Sequence, residues 1–101
     1  MLPASSTESL MHLEIHHDRA AHRFDVQVDA AHCMLEYALA GGVLTITHTL
    51  VSPPVGGRGV AAELVRAAME FARGAGLMVR PACSYAAVWI ARHPDYADLR
   101  A

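Results

Sequence analysis

The sequence predicts an α+β fold, with a mixed, mostly antiparallel sheet of about five strands and two helices. Apolar and polar residues alternate through the first half of the chain, which is typical of half-buried strands. After residue 59 the apolar spacing changes to three and four residues, as in an amphipathic helix. The 101 residues, 53% hydrophobic and 18% charged, suffice for one core and exclude a disordered chain. We therefore expect a single domain over residues 12–101, preceded by a disordered tail over residues 1–11.

Four strands are predicted before that change of spacing. They run from His12 to His17, from His22 to Val28, from His32 to Leu39 and from Val43 to Val51. Gly41-Gly42 predicts a tight hairpin between the third and fourth strands, because two glycines supply the positive φ angles of a primed turn. The result is a meander of four antiparallel strands.

Two helices and a fifth strand are predicted in the second half. The first helix runs from Val60 to Arg73 and ends at Gly74 and Gly76, and its apolar face is formed by Val60, Leu64, Ala67, Ala68 and Phe71. A short strand over residues 77–80 precedes a helix from Tyr85 to Arg92, for which Ser84 is the predicted N-cap. A strand–helix–strand crossover predicts that the fourth and fifth strands are parallel. Tyr96 and Leu99 are expected to pack back on the body.

Composition excludes several classes of protein. The formal net charge is −2, and the eight basic residues are scattered arginines, so no nucleic-acid footprint is present. No apolar run approaches the ~20 residues of a membrane helix, and residues 1–11 lack the pattern of a secretory signal. Cys33 and Cys83 show no CxxC spacing, which favours reduced thiols in a cytoplasmic protein, with a single disulfide as the alternative. The alanine-rich core buries little area per residue, which favours stabilisation by a ligand or a homodimer.

The most informative segment is the glycine-rich loop that leads into the first helix. Backbone N–H groups of such a loop, together with the helix N-terminus, can bind a phosphate. A Walker loop is excluded because the chain has no lysine, and a standard Rossmann loop is excluded because this loop follows the fourth strand. The alternative is a glycine-rich connection that only reverses the chain. The predicted binding residues are Val55, Gly56, Gly57, Arg58, Gly59, Val60 and Ala61.

Several short segments, in their order and spacing, resemble the small stand-alone branch of the GNAT acetyltransferases. The resemblance covers about Leu13 to Leu99 and is carried by Thr47-His48-Thr49, Gly57-Arg58-Gly59-Val60-Ala61, Gly76-Leu77, Pro81-Ala82-Cys83-Ser84-Tyr85 and His93-Pro94-Asp95-Tyr96. It implies a minimal GNAT fold without the helices usually inserted after the first strand. It also implies that acetyl-CoA is the ligand, with its pyrophosphate on the backbone amides of the loop, and that an amine is the acceptor.

Two positions depart from the family pattern. The loop pattern is Gln or Arg, two variable residues, Gly, one variable residue, and Gly or Ala; Gly59 and Ala61 match it, but the first position is Gly56. Small members tend to carry Glu after the His-Thr pair, where this chain has Leu50. A CoA-binding or protein-interaction module without catalysis therefore remains the alternative to an acetyltransferase.

Cys83 and His48 are the candidate catalytic residues. Cys83 precedes a helix N-terminus, which lowers the pKa of a thiol, and the resemblance suggests that it carries the acyl group or lies near the thioester. The alternative for Cys83 is a small buried apolar residue. His48 alternates onto the face of Leu44 and Ile46, where the resemblance places a general base and where a core histidine is the alternative. The seven histidines include no His-x-x-x-His pair on a predicted helix, and His12 with His16 on a strand supplies two metal ligands at most, so surface histidines are expected. Cys33 is assigned to the core.

Overall fold

The structure, a computed structural model, describes residues 14–28, 31–51 and 59–101. The predicted tail, the start of the first predicted strand and residues 55–58 of the predicted loop lie outside the described residues. The described elements, in chain order, are β1 (His16–Asp18), β2 (Arg23–Val28), β3 (Ala31–Ala40), β4 (Val43–Leu50), α1 (Val60–Ala75), β5 (Met78–Pro81), α2 (Ser84–Ala91) and a 3-10 helix (Pro94–Leu99).

The five strands form one sheet in the order β1-β2-β3-β4-β5. The pairs from β1 to β4 are antiparallel, and β4 pairs with β5 in parallel, which confirms the predicted fold class and the parallel crossover. Gly41 and Gly42 form the β3–β4 turn with φ values of 59° and 80°, the left-handed region that a primed turn requires. The predicted first strand is shorter in the structure, since Glu14 and Ile15 precede β1.

Helix α1 covers one side of the sheet and extends further than predicted. Its buried residues are Val60, Leu64, Val65, Ala68, Met69 and Ala72, so the apolar face is rotated toward Val65 and Met69 and leaves Phe71 half-buried. Gly74 lies within the helix, because it does not adopt the left-handed conformation of a glycine cap. Gly76 does so, with φ of 72°, and Leu77 N–H donates to the Ala72 carbonyl (2.9 Å) to close the helix.

One core joins the inner face of the sheet to both helices and the 3-10 helix. Cys33, Leu35, Leu44 and Ile46 of the sheet are completely buried in it. Tyr96 and Leu99 are buried as predicted. None of the described helices is long and apolar enough to cross a membrane.

A β-bulge interrupts β4 at Thr47. Glu36 of β3 pairs with His48, whereas the next residue, Tyr37, pairs with Ile46, so Thr47 is an extra residue in β4. The Thr47 hydroxyl donates to the Glu36 carbonyl oxygen (3.2 Å), so this backbone acceptor of β3 has a hydrogen-bond partner at the bulge. An extra residue inverts the alternation of side chains beyond it. From His48 onward, each side chain of β4 therefore lies on the face opposite to the one that simple alternation predicts.

Candidate functional site

The strands β4 and β5 part at the bulge. Their last paired residues are Ile46 and Pro81, and the N–H groups of Ala82 and Cys83 both donate to the Ile46 carbonyl (3.0 and 3.1 Å). Beyond this point β4 continues to Leu50 without pairing to β5. A short cleft thus opens between the carboxyl ends of the two parallel strands, the usual place for ligands in parallel sheets.

Cys83 lies beside this cleft, at the N-terminus of α2. It is the N-cap residue, one position before the predicted Ser84, and its thiol is half-buried. The Thr49 hydroxyl lies 3.6 Å from the Cys83 sulfur. Burial raises the pKa of the thiol, but the α2 amide of Ala86, the Thr49 hydroxyl and the Tyr85 amide together hold the pKa below its usual value. The sulfur makes no capping hydrogen bond of normal geometry, so the α2 amides act on it as nearby dipoles.

The bulge places His48 away from Cys83, so its predicted position on the face of Leu44 and Ile46 is wrong. Its side chain is 77% exposed, with Nδ1 3.9 Å from a carboxylate oxygen of Glu36 on the outer face of the sheet. Thr49 takes the inner position instead. The role predicted for His48 as a general base stays a prediction.

The two cysteines occupy different environments. Cys33 is completely buried in the core, as predicted, whereas the Cys83 thiol is partly exposed beside the cleft. Across the described ranges, no group of three or more His, Cys, Asp or Glu side chains is arranged to hold a metal ion.

The N-terminus of α1 presents backbone N–H groups that have no hydrogen-bond partner among the described residues. Gly59 is the N-cap, with φ of 78°, and as a glycine it has no side chain with which to cap the helix. The first hydrogen bond of the α1 backbone is donated by the Glu63 N–H to the Gly59 carbonyl (3.2 Å). The N–H groups of Val60, Ala61 and Ala62 come before this bond and therefore have no partner within the helix. Apart from Gly59 itself, its two chain neighbours and the nearby backbone of α1, no described atom lies within 4 Å of the position that a Cβ on Gly59 would occupy. Backbone N–H donors at a helix N-terminus are groups that bind a pyrophosphate, so the described part of the predicted loop fits this ligand.

The two helix N-termini lie at the same end of the sheet, because α1 follows β4 and α2 follows β5, and these strands are parallel. A family profile described as GCN5-related N-acetyl-transferase matches residues 23–99, which include the whole of this arrangement. The chain belongs to this family. GCN5-related N-acetyltransferases are a transferase family, and membership together with the fold supports acetyltransferase activity.

Two relatives and one solved structure agree with the family assignment. The chain is 28% identical to Protein NATD1 of Mus musculus over 95 residues, covering 91% of this chain and 86% of that protein. It is 27% identical to Protein NATD1 of Homo sapiens over 96 residues, with 92% and 85% covered. It superposes on the NMR solution structure of a GCN5-like protein from Staphylococcus aureus with a TM-score of 0.71 and 29% identity, covering 88% of each chain.

Thr49 is the site residue that the sequence analysis missed. It belongs to the Thr47-His48-Thr49 segment that carried the family resemblance, but simple alternation along β4 assigns its side chain to the outer face. No signal within β4 marks this change of face, because it depends on how β4 pairs with β3.

Proposed function

We propose that the chain transfers an acetyl group from acetyl-CoA to an amine. The observation that carries this proposal is the position of the Cys83 thiol, beside the β4–β5 cleft and at the same end of the sheet as the N-terminus of α1. A phosphate-binding element and a polarised thiol at one end of a sheet match the two ends of an acyl thioester attached to a nucleotide.

The residues of this chain divide the work of binding. The amides at the start of α1, from Val60 to Ala62, hold the pyrophosphate, together with the loop residues Val55 to Arg58 as predicted. The edge of β4 that runs past β5, from Thr47 to Leu50, offers backbone groups to the extended arm of the ligand. Acetyl-CoA supplies the activated acetyl group as a thioester.

Cys83 gives the reaction two possible routes. In the covalent route, the thiolate of Cys83 attacks the thioester carbonyl and forms an acetyl-Cys83 thioester, and CoA leaves as its thiol. The amine then attacks acetyl-Cys83 and regenerates the thiol. In the direct route, the deprotonated amine attacks acetyl-CoA, and Cys83 and Thr49 only line the reacting centre. Thr49 stabilises the thiolate in the first route by donating its hydroxyl hydrogen.

Thermal unfolding with and without acetyl-CoA tests the binding step. A ligand that binds only the folded state stabilises it by about 2.7 kcal/mol at 100-fold excess over its Kd, which raises the Tm of a small domain by several degrees. Absence of a shift at millimolar acetyl-CoA contradicts the proposal. A shift without acetylation across a panel of amines supports the alternative of a CoA-binding module without catalysis.

Intact-mass analysis then separates the two routes. After incubation with acetyl-CoA and no amine, the covalent route predicts one added acetyl group, which peptide mapping places on Cys83. Cys33 serves as the internal control, since its burial protects it. A Cys83→Ala variant that retains full turnover contradicts the covalent route. A cytoplasmic location and a homodimer stay predictions.

A further inference from the structure

The outer face of the sheet is not covered by any helix within the described residues. Both helices and the 3-10 helix pack on the inner face, in the single core. The buried side chains of β2, β3 and β4 all belong to that inner face, and none of the described charged side chains is buried. Leu50, which the bulge places on the outer face, is 59% exposed. This face is therefore open to a partner.

A row of four ionisable side chains crosses the outer face from β1 to β4. Direct cross-strand pairing places one residue from each strand in the order Asp18, Arg23, Glu36, His48. Each of these side chains is at least 34% exposed. Within the chain, Arg23 lies 3.7 Å from a carboxylate oxygen of Asp18 and donates to Asp25 (3.1 Å), and His48 lies 3.9 Å from Glu36. The row thus alternates between acidic and basic groups across about 14 Å, at about 4.8 Å per strand.

An alternating row of this kind is complementary to itself when it is reversed. A two-fold axis that runs parallel to the strands, between β2 and β3, turns two outer faces toward each other and reverses the row in the second copy. Arg23 then lies opposite the partner's Glu36, and Asp18 lies opposite the partner's His48. An axis that runs across the strands places each group opposite the same group of the second copy. Only the first arrangement brings opposite charges together, and it is the isologous contact of a two-fold dimer.

The neighbouring row of side chains fits the same arrangement. It consists of one residue from each strand, in the order His16, Asp25, Met34, Leu50. The reversal places Leu50 opposite the partner's His16 and Met34 opposite the partner's Asp25, so no two like charges meet and Leu50 is covered. The first four strands of the second copy lie over β1 to β4 and leave β5 uncovered. The β5 side of the proposed thioester cleft therefore remains open.

The size of this face indicates a weak dimer. Four strands at about 4.8 Å and six residues at about 3.4 Å give a contact about 19 Å wide and about 20 Å long, or about 400 Å² per copy. Stable complexes bury about 800 Å² per partner, and smaller interfaces are typical of transient contacts. The strand directions of two sheets that pack in this aligned way differ by about 30°. We therefore expect a reversible dimer at micromolar to millimolar concentrations.

We propose that the outer face of the sheet binds the outer face of a second copy of this chain, in a two-fold dimer in which Arg23 and Glu36 pair reciprocally. This inference goes beyond the proposed function and does not depend on it. The sequence analysis expects a homodimer from the thin core alone and gives it no surface, whereas the pairing of the strands identifies one.

Sedimentation equilibrium of charge-reversal variants tests the proposal. Glu36→Arg places arginines opposite each other, so the Kd of its dimer should rise at least about tenfold above the wild-type value, and Arg23→Glu should have the same effect. An equimolar mixture of the two variants restores opposite charges at both contacts, and its heterodimer should form with a Kd within about threefold of the wild type. Arg80→Glu, a charge reversal on the same face of β5 outside the contact, is the matched control and should keep the wild-type Kd.

Cross-linking provides a second measurement in case Arg23→Glu does not fold, since that change puts a third carboxylate beside Asp18 and Asp25. The chain has no lysine, so Arg23→Lys supplies a single side-chain amine and keeps the positive charge. A carbodiimide joins an amine to a carboxylate in direct contact. It should give a covalent dimer linked between residues 23 and 36, as mapped by mass spectrometry, whereas Arg80→Lys should give none.

Three outcomes overturn the proposal. The first is a wild-type chain that stays monomeric at millimolar concentration. The others are a dimer whose Kd is the same in the wild type and Glu36→Arg, and a dimer without a covalent link between residues 23 and 36, since another surface then forms the contact. All three leave the proposed acetyl transfer standing, because the site at the ends of β4 and β5 does not require the second copy.

Discussion

Replacing Thr49 by valine removes the hydroxyl group 3.6 Å from the Cys83 sulfur and keeps a branched side chain of similar size. A hydrogen bond to a charged acceptor contributes about 1.5–3 kcal/mol to stability. The long contact and the partial exposure of Cys83 reduce this to roughly 0.5–1 kcal/mol for the thiolate. Since 1.4 kcal/mol is a factor of ten, the thiolate fraction near neutral pH should fall about two- to fivefold.

The rate of alkylation by iodoacetamide measures this fraction, because the thiolate is the reacting form. The Thr49→Val protein should be alkylated at Cys83 about two to five times more slowly than the wild type at pH 7, as followed by mass spectrometry. Thr49→Ser keeps the hydroxyl and should react at close to the wild-type rate. Alkylation of the buried Cys33 reports unfolding in either variant. A wild-type rate in Thr49→Val contradicts the assigned hydrogen bond.

Three further changes test other parts of the structure. Tyr96→Phe removes the hydroxyl that donates to Glu70, which should lower the free energy of unfolding by about 1 kcal/mol in urea titrations. His48→Gln changes an exposed outer-face residue, so amine acetylation measured with acetyl-CoA should stay within about twofold of wild type. Burial, with smaller contributions that include nearby Arg19, holds the pKa of His17 below its usual value, so the unfolded chain binds the proton more readily. Stability should therefore fall as the pH decreases below about 6.5, and His17→Gln should reduce this dependence.

Each of these three predictions has its own control and contradicting outcome. The control for Tyr96→Phe is Tyr85→Phe, which changes an exposed tyrosine and should leave the free energy of unfolding unchanged. Equal free energies of unfolding for the two variants contradict the assigned contact between Tyr96 and Glu70. Loss of turnover of tenfold or more in His48→Gln contradicts this expectation and supports the predicted role of His48 as a general base. For His17, His32→Gln alters an exposed histidine, and the same pH dependence in wild type and His17→Gln contradicts the assignment.

Local signals predicted most of the fold. The Gly41-Gly42 turn and the strands beside it follow from the conformational freedom of glycine and from period-two alternation, both of which act within a few residues. The same holds for Cys83, because the end of a strand and the start of a helix bracket it in the sequence. The sequence therefore predicted the parts of the site whose positions depend on neighbouring residues in the chain.

The bulge at Thr47 could not be predicted in this way. The bulge is determined by how β4 pairs with β3, where Glu36 opposes His48 and Tyr37 opposes Ile46. The period-two pattern along β4 alone therefore does not predict it. Because the sequence analysis did not include this extra residue, it assigned His48 to the inner face and Thr49 to the outer face. The sequence analysis also missed a groove between α1 and α2 that Arg66 and Arg92 line, because only the packing of the two helices brings these residues to one surface.

An NMR titration of the labelled chain with acetyl-CoA measures the proposed site most directly. The largest amide shifts are expected at the start of α1, from Gly59 to Ala62, and at Thr49 and Cys83 on the two sides of the cleft. Smaller shifts should follow along α1 as far as Arg66. Shifts confined to the outer face of the sheet around His48, or no shifts at millimolar acetyl-CoA, would contradict binding at this end of the sheet.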